Sequence, residues 1–371
     1  MPLAGAGGIA TRSMRRLRTS PRFELKRLEE LSPEQRKPFE ELTRDDAFYG
    51  LLIPRPPAAA TLKSVDRETA ALLTALATPS AFDELSGDVV DLVLDGILEI
   101  EHDGDFVCGA DALPVIGHDA VRGEGLSIDA LRYAEDLASD DVDTLTRALY
   151  LYNRIPASRF WTARFPDRDA VLAHLGASKI PAAWRILPPA QSNDWISFHA
   201  LDRRPRSGGP TYKLYVSPRP ENIRDAFEAV VRVLADRNTD FKIGPNAGGL
   251  LRPDKMVAYF GAREELDDAA AALRPRLAGC PAHGVPFTAA LDDDGLLSWG
   301  LDPPESERAL SWLGRESWRL WLATKLGAAL AFAKTSSRGA VEPWRFAVQR
   351  VRRLGVDIEH WTPAETLWRA A

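Results

Sequence analysis

Cysteine is nearly absent from this chain, with Cys108 and Cys280 the two in 371 residues. Two thiols this far apart cannot furnish a structural zinc site, and one disulfide is an odd staple for so long a chain. Both are read as free thiols in a reducing, cytoplasmic compartment. Cys280, in Gly-Cys-Pro, is either a nucleophile or, more commonly for such a residue, a thiol buried in a turn. A long apolar run is missing too. Leu320–Ala333 is shorter than the ~18 residues a span needs and carries Lys325, so no membrane segment is expected. The six histidines are scattered without His-Glu-x-x-His or comparable spacing, which argues against a metal centre. An excess of positive charge is lacking: the net charge of −6 disfavours a nucleic-acid partner and confines phosphate binding to a local patch.

The N-terminal arginines, Arg12, Arg15, Arg16, Arg18 and Arg22, have no apolar segment behind them and so form no secretory signal. Residues 1–20 are expected to be a loose basic arm, with Met14 an alternative start. The glycines from Gly5 follow no strand and are not a nucleotide loop.

What is present is ordinary globular composition, 45% apolar and 27% charged, in a chain too long for one core. Four segments are expected. Residues 1–57 are the basic arm and lead-in, closed by Pro54-Arg-Pro-Pro57. Residues 58–115 resemble a winged helix: Asp66 caps a helix carrying Leu72, Leu73 and Leu76, and Phe82 and Leu85 mark a second helix. Val89, Leu92, Val93 and Ile97 mark a third, and a hairpin turns at Asp103-Gly104. Asp88, Asp91 and Asp95 put negative charge on its third helix, which disfavours DNA and leaves peptide binding by strand addition or a structural adaptor role. Residues 116–190 read as a helical region. Residues 191–371 alternate, with strands at Trp195–His199, Tyr212–Val216, Phe241–Ile243, Met256–Phe260, Val285–Thr288 and Leu296–Trp299, two amphipathic helices between them, and closing C-terminal helices, one around Trp318, Trp321, Leu322, Leu326 and Leu330. The fold class is therefore α+β: a helical, winged-helix N-terminal region, then a mixed, partly antiparallel sheet domain with flanking helices.

Chemistry is concentrated in the last segment. Alternation in Tyr212-Lys213-Leu214-Tyr215-Val216 puts Lys213 and Tyr215 on one face. Lys242 stands between Phe241 and Ile243, and desolvation there lowers an amine's pKa toward that of a base. Each lysine alone is more often a solvent-facing strand residue; together they suggest a site. The segment Gly244-Pro-Asn-Ala-Gly-Gly249 is either a loop whose amides face an anion, with Arg252 and Lys255 supplying charge, or a connector between strands.

These residues resemble a known family. Tyr-Lys-Leu-Tyr-Val-Ser-Pro, Phe-Lys-Ile, Arg-Pro-Asp-Lys-x-Val-x-Tyr-Phe and Gly284-Val-Pro-Phe-Thr288 are similar to segments of the phosphothreonine lyase-like proteins, over about Trp195 to Asp302. That family includes HopA-type effectors and the lyase components of lanthipeptide dehydratases. The resemblance implies elimination of phosphate from phosphoserine or phosphothreonine, without metal or cofactor. It implies Lys213 as a phosphate-binding lysine, Lys242 as the base, and Arg252 and Lys255 as parts of the phosphate clamp. Tyr215 stands where the family has a histidine acid; His199 or His283 is the alternative donor. The N-terminal module likewise resembles leader-recognition modules of peptide-modifying enzymes.

The reading is a β-eliminating lyase of ribosomal peptide (lanthipeptide-type) biosynthesis. Its partners would be a precursor peptide and a separate Ser/Thr peptide kinase, since the chain has no kinase glycine-rich loop, Val-Ala-Ile-Lys or His-Arg-Asp segment. The rival is a non-catalytic binder of a phosphopeptide or leader. An effector acting on a host phosphoprotein is a third reading, disfavoured by the lack of a long Ser-rich N-terminal segment.

Overall fold

The computed structural model describes residues 15–56, 62–82, 84–117, 123–189, 194–202, 211–303 and 316–364. Two compact units emerge: one of residues 1–121, 139–142 and 328–353, the other of 122–138, 143–327 and 354–371. Both mix helices with antiparallel sheets, so the chain is α+β as expected.

The first unit contains β1 (Arg15–Thr19), β2 (Phe23–Lys26), β3 (Phe48–Pro54), β4 (Lys63–Asp66), β5 (Ser80–Phe82), β6 (Leu98–His102) and β7 (Asp105–Val107). One sheet has the order β5-β1-β6-β7 and another β2-β3-β4. Here the expected loose arm is corrected. Residues 15–19 form an inner strand, with Leu17 fully buried. The arginines are ordered by cross-strand carboxylates: Arg18 Nε donates to Glu99 at 2.7 Å and Arg16 to Glu101 at 3.3 Å. The preceding residues of the arm, and residues 57–61 where the lead-in meets the next module, lie outside the described residues.

A second correction concerns Phe82, expected in a helix. Ser80–Phe82 is strand because β1 supplies a ladder partner some 65 positions away, which no local window contains. The helix Arg67–Ala75 has its expected cap, Asp66 accepting from Thr69 N at 2.6 Å. Helix Gly87–Leu94 starts at the Ser86 cap. The β6–β7 hairpin turns at Asp103 and Gly104, both with positive φ, which matches the twist that Asp-Gly turns favour. A third correction is the acidic stripe. Asp91 and Asp95 receive Arg350 at 2.8 and 2.5 Å, Arg353 adds 2.7 Å to Asp91, and Lys63 reaches Asp95 at 3.0 Å. The helix Pro343–Arg353 thus belongs to the first unit rather than closing the C-terminal sheet domain.

The second unit holds β8 (Trp184–Ile186), β9 (Ile196–Ala200), β10 (Tyr212–Val216), β11 (Phe241–Ile243), β12 (Met256–Phe260), β13 (Ala289–Ala290) and β14 (Leu297–Leu301). They form one antiparallel sheet in the order β13-β14-β10-β12-β11-β9-β8. One face carries Phe198, Leu214, Val216, Phe241, Ile243, Met256 and Ala258. It is covered by Phe227, Val230 and Leu234 of helix Ile223–Ala235 and by Leu266, Ala270 and Leu273 of helix Arg263–Leu273. Full burial of each such side chain contributes about 1.5–3 kcal/mol, so this core fixes the strands on which the opposite face depends. Trp161, Phe165, Val171 and Leu175 join the same core, so the helices expected as a separate region over 116–190 largely belong to this unit. Val285–Thr288, expected as a strand, is turn: Pro286 cannot donate to a ladder and Phe287 has φ of 61°. Among the described residues no helix is long and apolar enough to cross a membrane.

Candidate active site

The face of the large sheet opposite helices Ile223–Ala235 and Arg263–Leu273 follows from register. Tyr215 of β10 pairs with Val257 of β12, which pairs with Lys242 of β11, so Tyr215 and Lys242 flank Val257 on one face. Two strand spacings, roughly 10 Å, separate their backbones. Lys213, level with Tyr259 one step along, shares that face.

Lys242 Nζ lies 4.1 Å from the ring centre of Trp195 and 5.7 Å from that of Tyr259. Among the described residues it makes no hydrogen bond or ion pair. Burial, followed by repulsion from Lys213, lowers its pKa to about 8, despite the opposing fields of Asp254 and Asp302. Lys213 Nζ lies 5.8 Å from the same Tyr259 ring and donates to Asp302 at 2.6 Å. Arg252 reaches the group from the turn before β12, its guanidinium carbon 5.3 Å from Trp195 and 5.4 Å from Tyr150. It donates to the Tyr150 hydroxyl at 2.9 Å and to both oxygens of Asp254 at 2.8 and 2.9 Å. Burial would raise the Asp254 carboxyl, but Arg319 and Arg252 outweigh it and hold the pKa at about 2. The structure thus brings Lys213, Lys242 and Arg252 together around shared aromatic rings.

Tyr215 is 2% exposed, and its hydroxyl makes no hydrogen bond among the described residues. Burial and then the Asp302 carboxylate raise its pKa well above the usual phenol value, so it stays protonated at working pH. The other candidate donors are elsewhere. His199 leans toward Asp240 at 3.9 Å, near the end of β9. His283 is committed: Nδ1 accepts from Lys255 Nζ at 2.8 Å and Nε2 donates to the Asn153 carbonyl at 2.5 Å.

Lys255, expected in the phosphate clamp, is corrected by this geometry. It is fully buried, with Ser217 Oγ at 3.5 Å as its other polar neighbour, and cannot reach a ligand on the sheet face. Its alternation places it on the same face as Val257 and Tyr259, but beyond the strand end, where the 282–288 segment covers it. Burial lowers its pKa to about 7, and burial together with the Lys255 charge lowers that of His283 to about 4. An unfolded histidine takes up a proton near pH 6.5, whereas folded His283 refuses it until about pH 4, so stability falls as pH falls through that window. Melting temperature measured from pH 7 to pH 4 should show this loss, on the order of 2–3 kcal/mol, and His283→Gln should flatten the slope. An unchanged slope in the variant would contradict the account.

The glycine-rich segment is a tight turn rather than an anion loop. A Cβ on Gly244 would lie 2.3 Å from the backbone of Gly249 in the short helix Ala247–Leu250, so the loop packs directly onto that helix. Three of its amides are spent within the protein, Gly244 N on the Lys255 carbonyl, Ala247 N on that of Phe165, and Gly249 N on Asn246.

Tyr150, Trp195, Asp254, Tyr259, Asp302 and Arg319 were not foreseen as site residues. Tyr259 alone had a signal, its alternation with Val257; the others come from loops and helix ends. Among the described residues no group of three or more His, Cys, Asp or Glu is placed to hold a metal. A groove of about 570 Å³ in the first unit, lined by Val90, Leu113, Ile116 and Arg352 among others, holds no comparable base and acid.

No protein-family model matches the chain, and no curated protein does. Among solved structures it is similar to the effector protein from Pseudomonas syringae pv. tomato strain DC3000, at 11% identity and TM-score 0.42, over 64% of this chain and 95% of that one. It is also similar to the effector protein from Pseudomonas syringae pv. syringae strain 61, at 13% identity and TM-score 0.42, over 64% and 94%. A superposition this loose assigns neither residues nor activity, and the chain is distantly similar to bacterial effector proteins, no more.

Proposed function

We propose that the second unit is a metal-independent lyase that eliminates phosphate from phosphoserine or phosphothreonine in a peptide. The observation that carries this is Lys242: an amine without a hydrogen-bond partner, its pKa lowered to about 8, beside two further cations and an unpaired phenol. Elimination needs those parts. Lys242 Nζ takes the Cα proton, the Cα–H electrons form the Cα=Cβ bond, and the Cβ–O bond breaks with its electrons leaving on phosphate. Lys213 and Arg252 neutralise the departing charge and Tyr215 donates a proton to the leaving oxygen. The resemblance of the strand motifs to the phosphothreonine lyase-like family supports the same assignment.

The first unit would then receive the leader of a precursor peptide, and a separate kinase would install the phosphate in the cytoplasm. Supporting this is β7, an edge strand next to a hairpin, to which an extended peptide can add. A second reading has one observation in its favour: Tyr215 where the family's acid is histidine suits a chain that binds phosphopeptide without turning it over. Incubation with a phosphothreonine peptide separates the two. The expected result is loss of phosphoric acid by mass and a new dehydrobutyrine; unaltered peptide that co-purifies with the protein would establish the binder instead.

A further inference from the structure

Arg252, the cation assigned to the phosphate, is already held by a carboxylate. Asp254 accepts from it at 2.8 and 2.9 Å, and a pair of that kind presents almost no net charge to a third group. A second arginine completes the arrangement. Arg319, in the first turn of helix Trp318–Ser336, is 1% exposed. Its Nε donates to the Pro286 carbonyl at 3.0 Å and its Nη2 to the Tyr150 carbonyl at 3.0 Å. Its Nη1 lies 2.7 Å from Asp254 Oδ2 but off the line of its N–H bonds, so this contact is an ion pair and not a directed hydrogen bond. One buried carboxylate therefore faces two guanidiniums, and the group sums to a single positive charge.

We infer that Arg319 is a positioning residue of the anion site: by neutralising Asp254, it lets a carboxylate hold Arg252 rigidly while the cluster keeps one positive charge for an oxyanion. This rests on the reading of the site as a phosphate site, but assigns a role to a residue that does not touch the phosphate. Three observations carry it. Asp254 is shared, so its single charge cannot cancel both arginines. The group is buried, so water screens it weakly and each charge is felt by a neighbour. Asp254 is also anionic at any working pH while both arginines face it, Arg319 being the largest charge that holds it so, and its charge is therefore present to grip Arg252. Tyr150 links the two arginines, its hydroxyl accepting from Arg252 and its carbonyl from Arg319, so the guanidiniums are fixed to one residue as well as to one carboxylate.

The test is titration with inorganic phosphate, read by 31P line width, on four folded full-length proteins: wild type, Arg319→Gln, Arg319→Lys and the double variant Arg319→Gln/Asp254→Asn. Arg319→Gln removes a unit charge and is expected to weaken phosphate binding by about tenfold to fiftyfold. Arg319→Lys keeps the charge and loses the two carbonyl contacts; it should stay within about threefold of wild type, as should the double variant, whose cluster again sums to one positive charge. A double variant as weak as the single one shows that Arg319 is scaffold, and overturns the inference. Wild-type affinity in Arg319→Gln overturns it, and so does a wild type that binds no phosphate. Should Arg319→Gln fail to fold, the remaining two decide: retained affinity in both supports the charge account, and weakened binding in either refutes it. If this pattern holds but wild type leaves a phosphothreonine peptide intact, the lyase reading fails while the role of Arg319 stands.

Discussion

Lys242→Ala is expected to abolish elimination, by about 10³-fold or more in kcat, while leaving phosphopeptide affinity within a few-fold of wild type. The first half follows from position. Among the described residues no second amine on this face has both a lowered pKa and no anionic partner, since Lys213 is held by Asp302 at 2.6 Å and Lys255 is sealed under the 282–288 segment. The second half follows because the base makes its decisive contact in the transition state, and losing such a contact lowers kcat without a matching loss of binding. The pH dependence has a definite sign. Only the neutral amine accepts a proton, so kcat/KM should rise with pH through an apparent pKa near 8. Lys213 is the largest charge acting to lower that pKa. Lys213→Met should therefore move the rising limb to higher pH, besides weakening phosphate binding. Full activity in Lys242→Ala, or a limb that moves to lower pH in Lys213→Met, would remove Lys242 from the mechanism.

Tyr215→Phe carries the second large effect. The hydroxyl is the one group of this face that is buried, protonated at every working pH and without a hydrogen bond among the described residues. A phenol with a raised pKa is a weak acid in the ground state. It becomes effective when the leaving phosphate oxygen gathers charge, with Arg319 acting to stabilise the phenolate side. General acid catalysis is worth about 10²–10⁴-fold, and a loss of that order in kcat is expected, measured on a phosphothreonine peptide. The diagnostic is a substrate whose leaving group needs no protonation. With such a substrate Tyr215→Phe should approach wild-type rates, whereas Lys242→Ala should stay inactive. Equal losses on both substrates would mean that Tyr215 shapes the sheet rather than donating a proton. His283 is no substitute donor, since both ring nitrogens are committed within the buried cluster.

How much of this was legible in the sequence depended on the range of the interaction involved. Alternation within Tyr212–Val216 determined that Lys213 and Tyr215 share a face, because the side-chain period of a strand is a local property. Phe241 and Ile243 marked Lys242 as a strand residue, but they point to the opposite, core face; the amine is desolvated by Trp195 and Tyr259, which the fold brings to it. The Asp66 cap, the Asp103-Gly104 turn and the two amphipathic helices were written in windows of a few residues. The tertiary structure alone decided the rest. Arg16 and Arg18 looked like part of a loose arm until Glu99 and Glu101, more than 80 residues away, were brought opposite them. Asp91 and Asp95 read as unbalanced negative charge on the third helix until Arg350 and Arg353 arrived from the C-terminal end. Lys255 has the strand parity of a site residue, yet a segment nearly 30 residues on buries it against His283. Arg319 and Tyr150, to which the proposed anion site would owe its charge balance and its wall, lie on helices with no motif to mark them. A strand pattern fixes which way a side chain points; whether that direction leads to ligand, counter-ion or core depends on what the remaining chain lays over it.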